Sequence, residues 1–287
     1  MRGKCVLTLG FFDGVHIGHQ ALLKRLRELS SKLGMPSLVL TFDARPVFRS
    51  QLLLTSLEER VRLIKEAGID EIMVQPFTEE FAALSPEAFL KEVVCERFNA
   101  KLVLAGYDCR FGKDRAGDIA VLKTLAPKLG FLCEEEPPFL LDGQIVSSTL
   151  CRELLKEGKL MELEKALGRP WSLYGEIRPG RGLGHKLGYP TANMGLNGLL
   201  TPPKGVYSAE YELGKRRGKA LLYLGSRPTF EEGGESLAET YLLDFSEDVY
   251  GETLKVAPKR FLGPEKRYES AEELKEAIAS FVEQAKF

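Results

Sequence analysis

Cys5-Val-Leu-Thr-Leu-Gly10-Phe-Phe-Asp-Gly-Val-His16-Ile-Gly-His19 is the stretch on which the fold turns. Cys5–Leu9 is an apolar run of strand length. Gly10–His19 is a loop carrying Gly10, Gly14 and Gly18. From His19 onward Leu22, Leu26, Leu29 and Leu33 recur at helical spacing, until Gly34 supplies a left-handed stop. The same rhythm then repeats. Ser37–Phe42, Glu71–Gln75 and Lys101–Ala105 read as strands. Between and after them come helix signals. Thr55-Ser-Leu-Glu58 has capping-box spacing before a helix that Gly68 ends, and Ser85-Pro86 places a proline in a first turn. Asp118–Leu129 is closed by Gly130, and Ser148 or Thr149 begins a helix that Gly158 ends. Strands alternating with helices predict an α/β domain with a parallel sheet and helices on both faces. Ligands on such sheets bind at the carboxyl ends of the strands, where the loop Gly10–His19 lies.

The pattern changes after Gly168-Arg169-Pro170. Runs rich in β-branched and aromatic residues follow at Trp171–Ile177, Val206–Leu213, Lys219–Leu224, Glu239–Phe245 and Thr253–Val256. Glycine or proline turns separate them, and no helical period appears until Ser270. This predicts a small antiparallel barrel or sandwich. Ser270-Ala-Glu-Glu273 is a second capping box, and Leu274, Ile278, Phe281 and Ala285 form the apolar stripe of a terminal helix. Two domains are expected, residues 1–168 and 169–287.

The 287 residues include 40 Lys and Arg against 41 Asp and Glu, so no basic module for nucleic acid is expected. The five cysteines are odd in number and show no Cys-x-x-Cys spacing, which argues against a disulfide framework or a zinc knuckle. No apolar run approaches the roughly 20 residues a membrane-spanning helix needs, and the N-terminus lacks the shape of a signal peptide. A cytoplasmic protein without membrane partners is expected, a monomer or weak oligomer.

Two of the three histidines, His16 and His19, stand where the first loop becomes a helix. A helix N-terminus offers unpaired N–H groups and the positive end of a dipole, which suits phosphate. Two imidazoles there can stabilise charge building up during attack at phosphorus. The bland alternative is that His16 merely caps the helix and the glycines merely turn. Ser147, Ser148 and Thr149 likewise offer hydroxyls at a helix start, with Arg152 about a turn on, or else are ordinary capping residues.

In the second domain, Gly180-Arg-Gly-Leu-Gly-His-Lys-Leu-Gly-Tyr-Pro-Thr-Ala-Asn193 puts four glycines into nine residues ahead of Thr191 and Asn193. On an extended segment those two side chains point the same way, and their oxygens suit a hard divalent cation held with nucleotide phosphates. The alternative is a glycine-rich surface turn leading into an ordinary strand.

The first loop, with its His-x-Gly-His element, resembles that of nucleotidyltransferases, and Phe12-Asp-Gly-Val-His16 is similar to the FMN adenylyltransferase branch. Gly106-Tyr-Asp-Cys-Arg-Phe-Gly112 and Val146-Ser-Ser-Thr-Leu-Cys-Arg152 are similar to further segments of that branch. Gly188-Tyr-Pro-Thr-Ala-Asn193 resembles the riboflavin kinase loop. Pro203–Tyr207, Leu224-Gly-Ser-Arg-Pro-Thr229, Glu239-Thr-Tyr-Leu-Leu-Asp-Phe245, Tyr250-Gly251 and Phe261–Lys266 follow in the kinase order. The chain is thus identified as a member of the bacterial bifunctional riboflavin kinase and FMN adenylyltransferase (FAD synthetase) family.

The resemblance implies a Rossmann-like nucleotidyltransferase domain and a six-stranded antiparallel barrel with a terminal helix. It implies phosphorylation of riboflavin to FMN by Mg·ATP in the second domain, and adenylyl transfer from ATP to FMN in the first. It makes Glu239 the kinase base and His16 and His19 catalytic in adenylyl transfer. It assigns Gly10, Phe12, Asp13, Gly14, Gly18, Ser147, Ser148, Thr149, Arg152, Gly182, Gly184, Lys186 and Gly188 to ATP phosphates. Asp108, Arg110, Phe111 and Arg227 fall to flavin, and Thr191 and Asn193 to Mg2+.

Three positions depart from the family pattern. Arg45, in Thr41-Phe-Asp-Ala-Arg-Pro46, stands where a histidine is usual, and arginine cannot shuttle a proton. Gly263 replaces a frequent arginine, and Tyr223 stands where asparagine or valine is common. Two other readings stay open: a kinase whose adenylyltransferase site has weakened, motivated by Arg45, and a non-catalytic flavin- or nucleotide-binding protein.

Overall fold

The computed structural model describes residues 3–43, 52–180, 184, 187–196, 198–226, 236–245, 247 and 249–286. The chain forms two units. One takes the sequence through Ser148 apart from Leu52–Ser56; the other takes Leu52–Ser56 and everything from Thr149.

The first unit holds β1 (Cys5–Leu9), β2 (Ser37–Phe42), β3 (Glu71–Gln75), β4 (Ala100–Gly106) and β5 (Leu132–Glu136). They pair in the order β3-β2-β1-β4-β5, every pair parallel. Alternate residues of the central strands feed two cores. Leu7, Leu9, Leu38, Leu40, Val103 and Ala105 pack on one face with Phe89, Leu90, Leu122 and Ala126. Val6, Val39, Leu102 and Leu104 pack on the other with Leu22, Leu23, Leu26, Leu29, Leu63 and Ile64. This two-sided burial is why β1 reads as a continuous apolar run.

The helix Ile17–Leu33 ends at Gly34 in the left-handed region, as its sequence predicts. Ser85 caps the next turn, its Oγ accepting from Ala88 N at 3.1 Å, and the helix then widens into a π-helical stretch over Phe89–Arg97. The helix after Thr55 runs Leu57–Glu66, its start lying within Thr55–Glu58, and Gly68 beyond its end has a φ of 79°.

The second unit holds β8 (Leu173–Glu176), β9 (Thr191–Gly195), β10 (Gly205–Leu213), β11 (Arg216–Ser226), β12 (Ser236–Leu242) and β13 (Thr253–Pro264); β6 and β7 are the two-residue strands Leu140–Leu141 and Gln144–Ile145 of a small hairpin in the first unit. The order β8-β13-β10-β11-β12-β9 is antiparallel throughout. Just past β8, Arg178 N donates to Asn193 O on β9 at 2.9 Å, so the sheet nearly closes into a barrel.

Tyr207, Leu222, Thr240 and Ala192 form one inward row of buried residues across four strands. On the outer face Val206, Leu221, Tyr241 and Leu262 pack with Ile278, Phe281 and Val282 of the terminal helix Ala271–Ala285. Ser270 Oγ caps that helix, accepting from Glu273 N at 3.0 Å. The helices Ser148–Lys156 and Leu160–Leu167 group with this unit, where Gly158 lies against the Pro203 ring.

Candidate active sites

In the first sheet the chain steps from β1 outward to β2 and β3, then returns to the far side of β1 as β4. The carboxyl ends of β1 and β4 therefore border the crevice of a topological switch point. Gly10–His19 leaves β1 there, and Gly106–Gly112 leaves β4.

The first loop is tightly held. Phe12, Gly14 and Val15 have φ of 58°, 79° and 40°. Left-handed backbone at a β-branched residue is costly, and such strain persists only where the surroundings over-determine it. Here Phe12 and Val15 sit in the core, Val15 N donates to Phe12 O at 3.1 Å, and Gln20 Nε2 donates to Val15 O at 2.9 Å. Asp13 and His16 are buried in the same loop. Gly10 lies beside the Phe12 ring, 3.1 Å from where a Cβ would stand.

His16 caps the helix Ile17–Leu33: its Nδ1 accepts from His19 N at 3.3 Å. The two imidazoles stack, with centroids 3.6 Å apart and planes 21° from parallel, and Phe12 meets His19 edge-on at 5.2 Å. A Cβ on Gly18 would come within 3.2 Å of the His16 ring, which explains a glycine there. Capping and chemistry are thus compatible. Once Nδ1 accepts, the neutral ring carries its proton on Nε2, a donor suited to a phosphoryl oxygen.

The second predicted segment reaches this loop, because Ser148 Oγ donates to Asp13 O at 2.9 Å, and Ser147 precedes it. Thr149 and Arg152 lie on the helix that Ser148 begins, and Arg152 is buried. On the β4 loop Asp108 and Arg110 are exposed, while Phe111 is buried with its ring 5.5 Å from that of Phe89. Burial, reinforced by Asp108, pushes the Cys109 thiol up to about 12. Arg45 lies outside the described residues.

Arg60 went unnoticed in the sequence. It is fully buried on the helix Leu57–Glu66, donates through Nη2 to Phe42 O at the end of β2, and lies 4.0 Å over the Phe11 ring. Burial pulls its pKa down to about 10, opposed by the charges of Asp13 and Asp43. Its Nε and Nη1 have no hydrogen-bond partner among the described residues. It packs against Phe11 of the histidine loop, within the field of Asp13.

In the barrel, Glu239 on β12 is the register partner of Asn193 on β9 and of Tyr223 on β11. Register partners share a face, with Cβ atoms about 5 Å apart. Thr191 faces Tyr241 on that same outer side. Asn193 Nδ2 donates to Thr191 O at 3.1 Å, and the half-buried Glu239 stands beside them. Gly180 and Gly184 lie closely over this pair. A Cβ on Gly180 would collide with the Asn193 amide, and one on Gly184 would strike Tyr189 O and sit 3.4 Å from Thr191 Oγ1.

Thr191 and Asn193 therefore present oxygen ligands under a backbone cradle that side chains would fill, a donor set that fits a hard divalent cation. Gly188 has a φ of 86°, which its lack of a side chain permits. Gly182, Lys186 and Arg227 lie outside the described residues. Of the two departures in this unit, Tyr223 and Gly263 share one cross-strand row through Val206.

A sequence model of the FAD synthetase family matches residues 1–150, and one of the riboflavin kinase family matches residues 167–287. The chain is 34% identical to the bifunctional riboflavin kinase/FMN adenylyltransferase of Haemophilus influenzae, over 98% of this chain and 93% of that one. It is 35% identical to the protein of that name from Escherichia coli K12, over 96% and 90%. Among solved structures, a protein from Streptococcus pneumoniae described as a macrolide-efflux protein superposes with a TM-score of 0.83 at 29% identity, over 100% of this chain and 95% of that one. No helix among the described residues here is long and apolar enough to cross a membrane. Two family segments in series, matched by relatives over nearly the whole length, place this chain in the bifunctional riboflavin kinase/FMN adenylyltransferase family, enzymes that make FMN and then FAD.

Proposed function

We propose that the two transfers run at the two constellations described above, adenylyl transfer within residues 1–168 and riboflavin phosphorylation within residues 169–287. The observation that carries this reading is the shared row of Glu239 and Asn193, beside Thr191, under Gly180 and Gly184. Glu239 takes the proton of the riboflavin 5′-hydroxyl as its oxygen attacks the γ-phosphorus of ATP, and ADP leaves. Thr191 and Asn193 would hold Mg2+, which supplies neutralising charge on the triphosphate. Gly182, Gly184, Lys186 and Gly188 enclose the phosphates, and Arg227 takes the flavin side.

In the first unit the FMN phosphate attacks the α-phosphorus of a second ATP, and pyrophosphate leaves. His16 and His19 donate to the phosphoryl oxygens as charge builds there. Gly10, Phe12, Asp13, Gly14 and Gly18 shape the backbone around the phosphates. Ser147, Ser148, Thr149 and Arg152 are assigned to the same triphosphate. Asp108 and Arg110, exposed at the switch point, take the flavin side, and Phe111 supports their loop from the core. The substrates are riboflavin, FMN and ATP; the protein works in the cytoplasm, as a monomer or weak oligomer.

The second reading, a kinase with a weakened adenylyltransferase site, rests on Arg45. Incubating the protein with FMN, ATP and Mg2+ and separating the flavins decides between them. FAD is expected; a protein that makes FMN from riboflavin but no FAD from FMN would support the second reading.

A further inference from the structure

Along the row that carries the kinase residues the order is Asn193, Glu239, Tyr223, Val206, Gly263. If Asn193 and Thr191 serve the phosphate side and Glu239 is the base, the acceptor lies on the other side of Glu239. In-line transfer sets the attacking and leaving oxygens on opposite sides of phosphorus. Tyr223 occupies that acceptor side. Its hydroxyl donates to Glu265, the first residue beyond β13. The ring gets there by lying along its own strand over Gly225, where any Cβ would collide with the hydroxyl. Gly263, at the end of the row, lies 3.2 Å (from the position of a Cβ) against the Phe281 ring of the terminal helix. The chain between β13 and that helix is tied to β11 through Glu265, and to the helix where Glu269 N donates to Glu273 Oε2 at 3.0 Å. Burial, with the Glu265 and Glu239 carboxylates, holds the phenol well above its ordinary pKa, so it remains a donor.

We propose that Tyr223 is a positioning residue of the kinase site: its hydroxyl, tied to Glu265, holds the segment between β13 and the terminal helix at the riboflavin side of Glu239. The proposal rests on the reading of Glu239 as the base.

The test is steady-state kinase kinetics of the full chain carrying Tyr223→Phe, Glu265→Ala, both together, Glu265→Gln, Gly225→Ala and, separately, Glu239→Gln. Tyr223→Phe and Glu265→Ala should each raise KM for riboflavin about fivefold, the loss of one hydrogen bond, with KM for ATP and FAD formation from added FMN unchanged. The double variant should be no worse than either single one, since both remove the same tie. Glu265→Gln should recover most of the affinity, because its amide oxygen still accepts. Gly225→Ala, which keeps the hydroxyl but displaces the ring, should behave like Tyr223→Phe. A riboflavin KM unchanged in Glu265→Ala, whose exposed side chain makes misfolding no explanation, would overturn the proposal, as would multiplying effects in the double variant. Full kinase turnover in Glu239→Gln would instead overturn the assignment of the base; its loss alongside a normal Tyr223→Phe would sink only the role of Tyr223.

Discussion

Glu239 on β12 and Asn193 on β9 stand directly opposite each other, so a carboxylate and an amide from strands far apart in sequence share one outer face of the barrel. Thr191 shares that face two residues before Asn193, beneath the Gly184 backbone. Thr191→Val removes one oxygen with little change of volume. The kinase reaction should then need more Mg2+ for half-maximal rate, with the adenylyl transfer curve unmoved. An unshifted magnesium titration would remove Thr191 from the metal site.

Gly18 owes its identity to the His16 ring, which a Cβ would meet at 3.2 Å. Gly18→Ala should disturb the histidine stack without removing either imidazole. Losing one donor to a developing phosphoryl charge costs about 3 kcal/mol, roughly a hundredfold. A displaced donor should cost less, so FAD formation from FMN is expected to fall about tenfold, with riboflavin phosphorylation unaffected. Normal FAD formation would mean that the stack is not part of the site.

Arg60 is buried in the field of Asp13 and Asp43. Arg60→Met keeps most of the bulk but removes that positive charge and the donor to Phe42 O. Losing a hydrogen bond made by a charged group costs roughly 2 kcal/mol. Urea unfolding of the variant should show that loss, and adenylyl transfer should fall with it. An unchanged midpoint would show that Arg60 is a passive filler.

Asp70 ties the start of β2 to the turn before β3, its Oδ2 accepting from Ser37 N at 2.8 Å and Ser37 Oγ at 2.6 Å. The Ser37 hydroxyl and then its N–H hold the Asp70 pKa below the ordinary 3.8. A folded pKa below the unfolded one stabilises above the unfolded value, and the benefit is lost as pH falls through the folded value. Asp70→Asn should therefore be less stable than the parent at pH 7, and the gap should close as pH falls below about 4. A gap that failed to narrow at all as the pH fell below about 4 would place the effect outside ionisation.

Much of this was legible in the sequence because the apolar periods were strong. Cys5–Leu9 and Ser37–Phe42 are buried on both faces, and Leu22, Leu26 and Leu29 of Ile17–Leu33 serve one core, whereas Leu33, in the last turn of the same predicted stripe, is exposed. The edge strand β5 was not legible. Leu132–Glu136 shows water a run of glutamates, two of them paired with Arg25 and Lys123, so no apolar signal marks it. β13 extends to Pro264, beyond the predicted Thr253–Val256, because Pro258, Lys259 and Arg260 mask its second half and β10 meets it through two shifts of register. The histidine loop announced itself through its residues. Arg60 did not: among Glu58, Glu59, Arg62 and Lys65 it reads as a surface charge, and only tertiary packing buries it.

The central claim is that one chain holds two separable active sites. Its most direct test compares two variants of the full protein, Glu239→Gln and His16→Ala with His19→Ala, each given riboflavin with Mg·ATP and, separately, FMN with Mg·ATP. Glu239→Gln should leave riboflavin unchanged yet convert FMN to FAD at the parental rate. The histidine variant should accumulate FMN and make no FAD from either substrate. Loss of both reactions in either soluble, folded variant, or FAD formation surviving the loss of both histidines, would contradict the account.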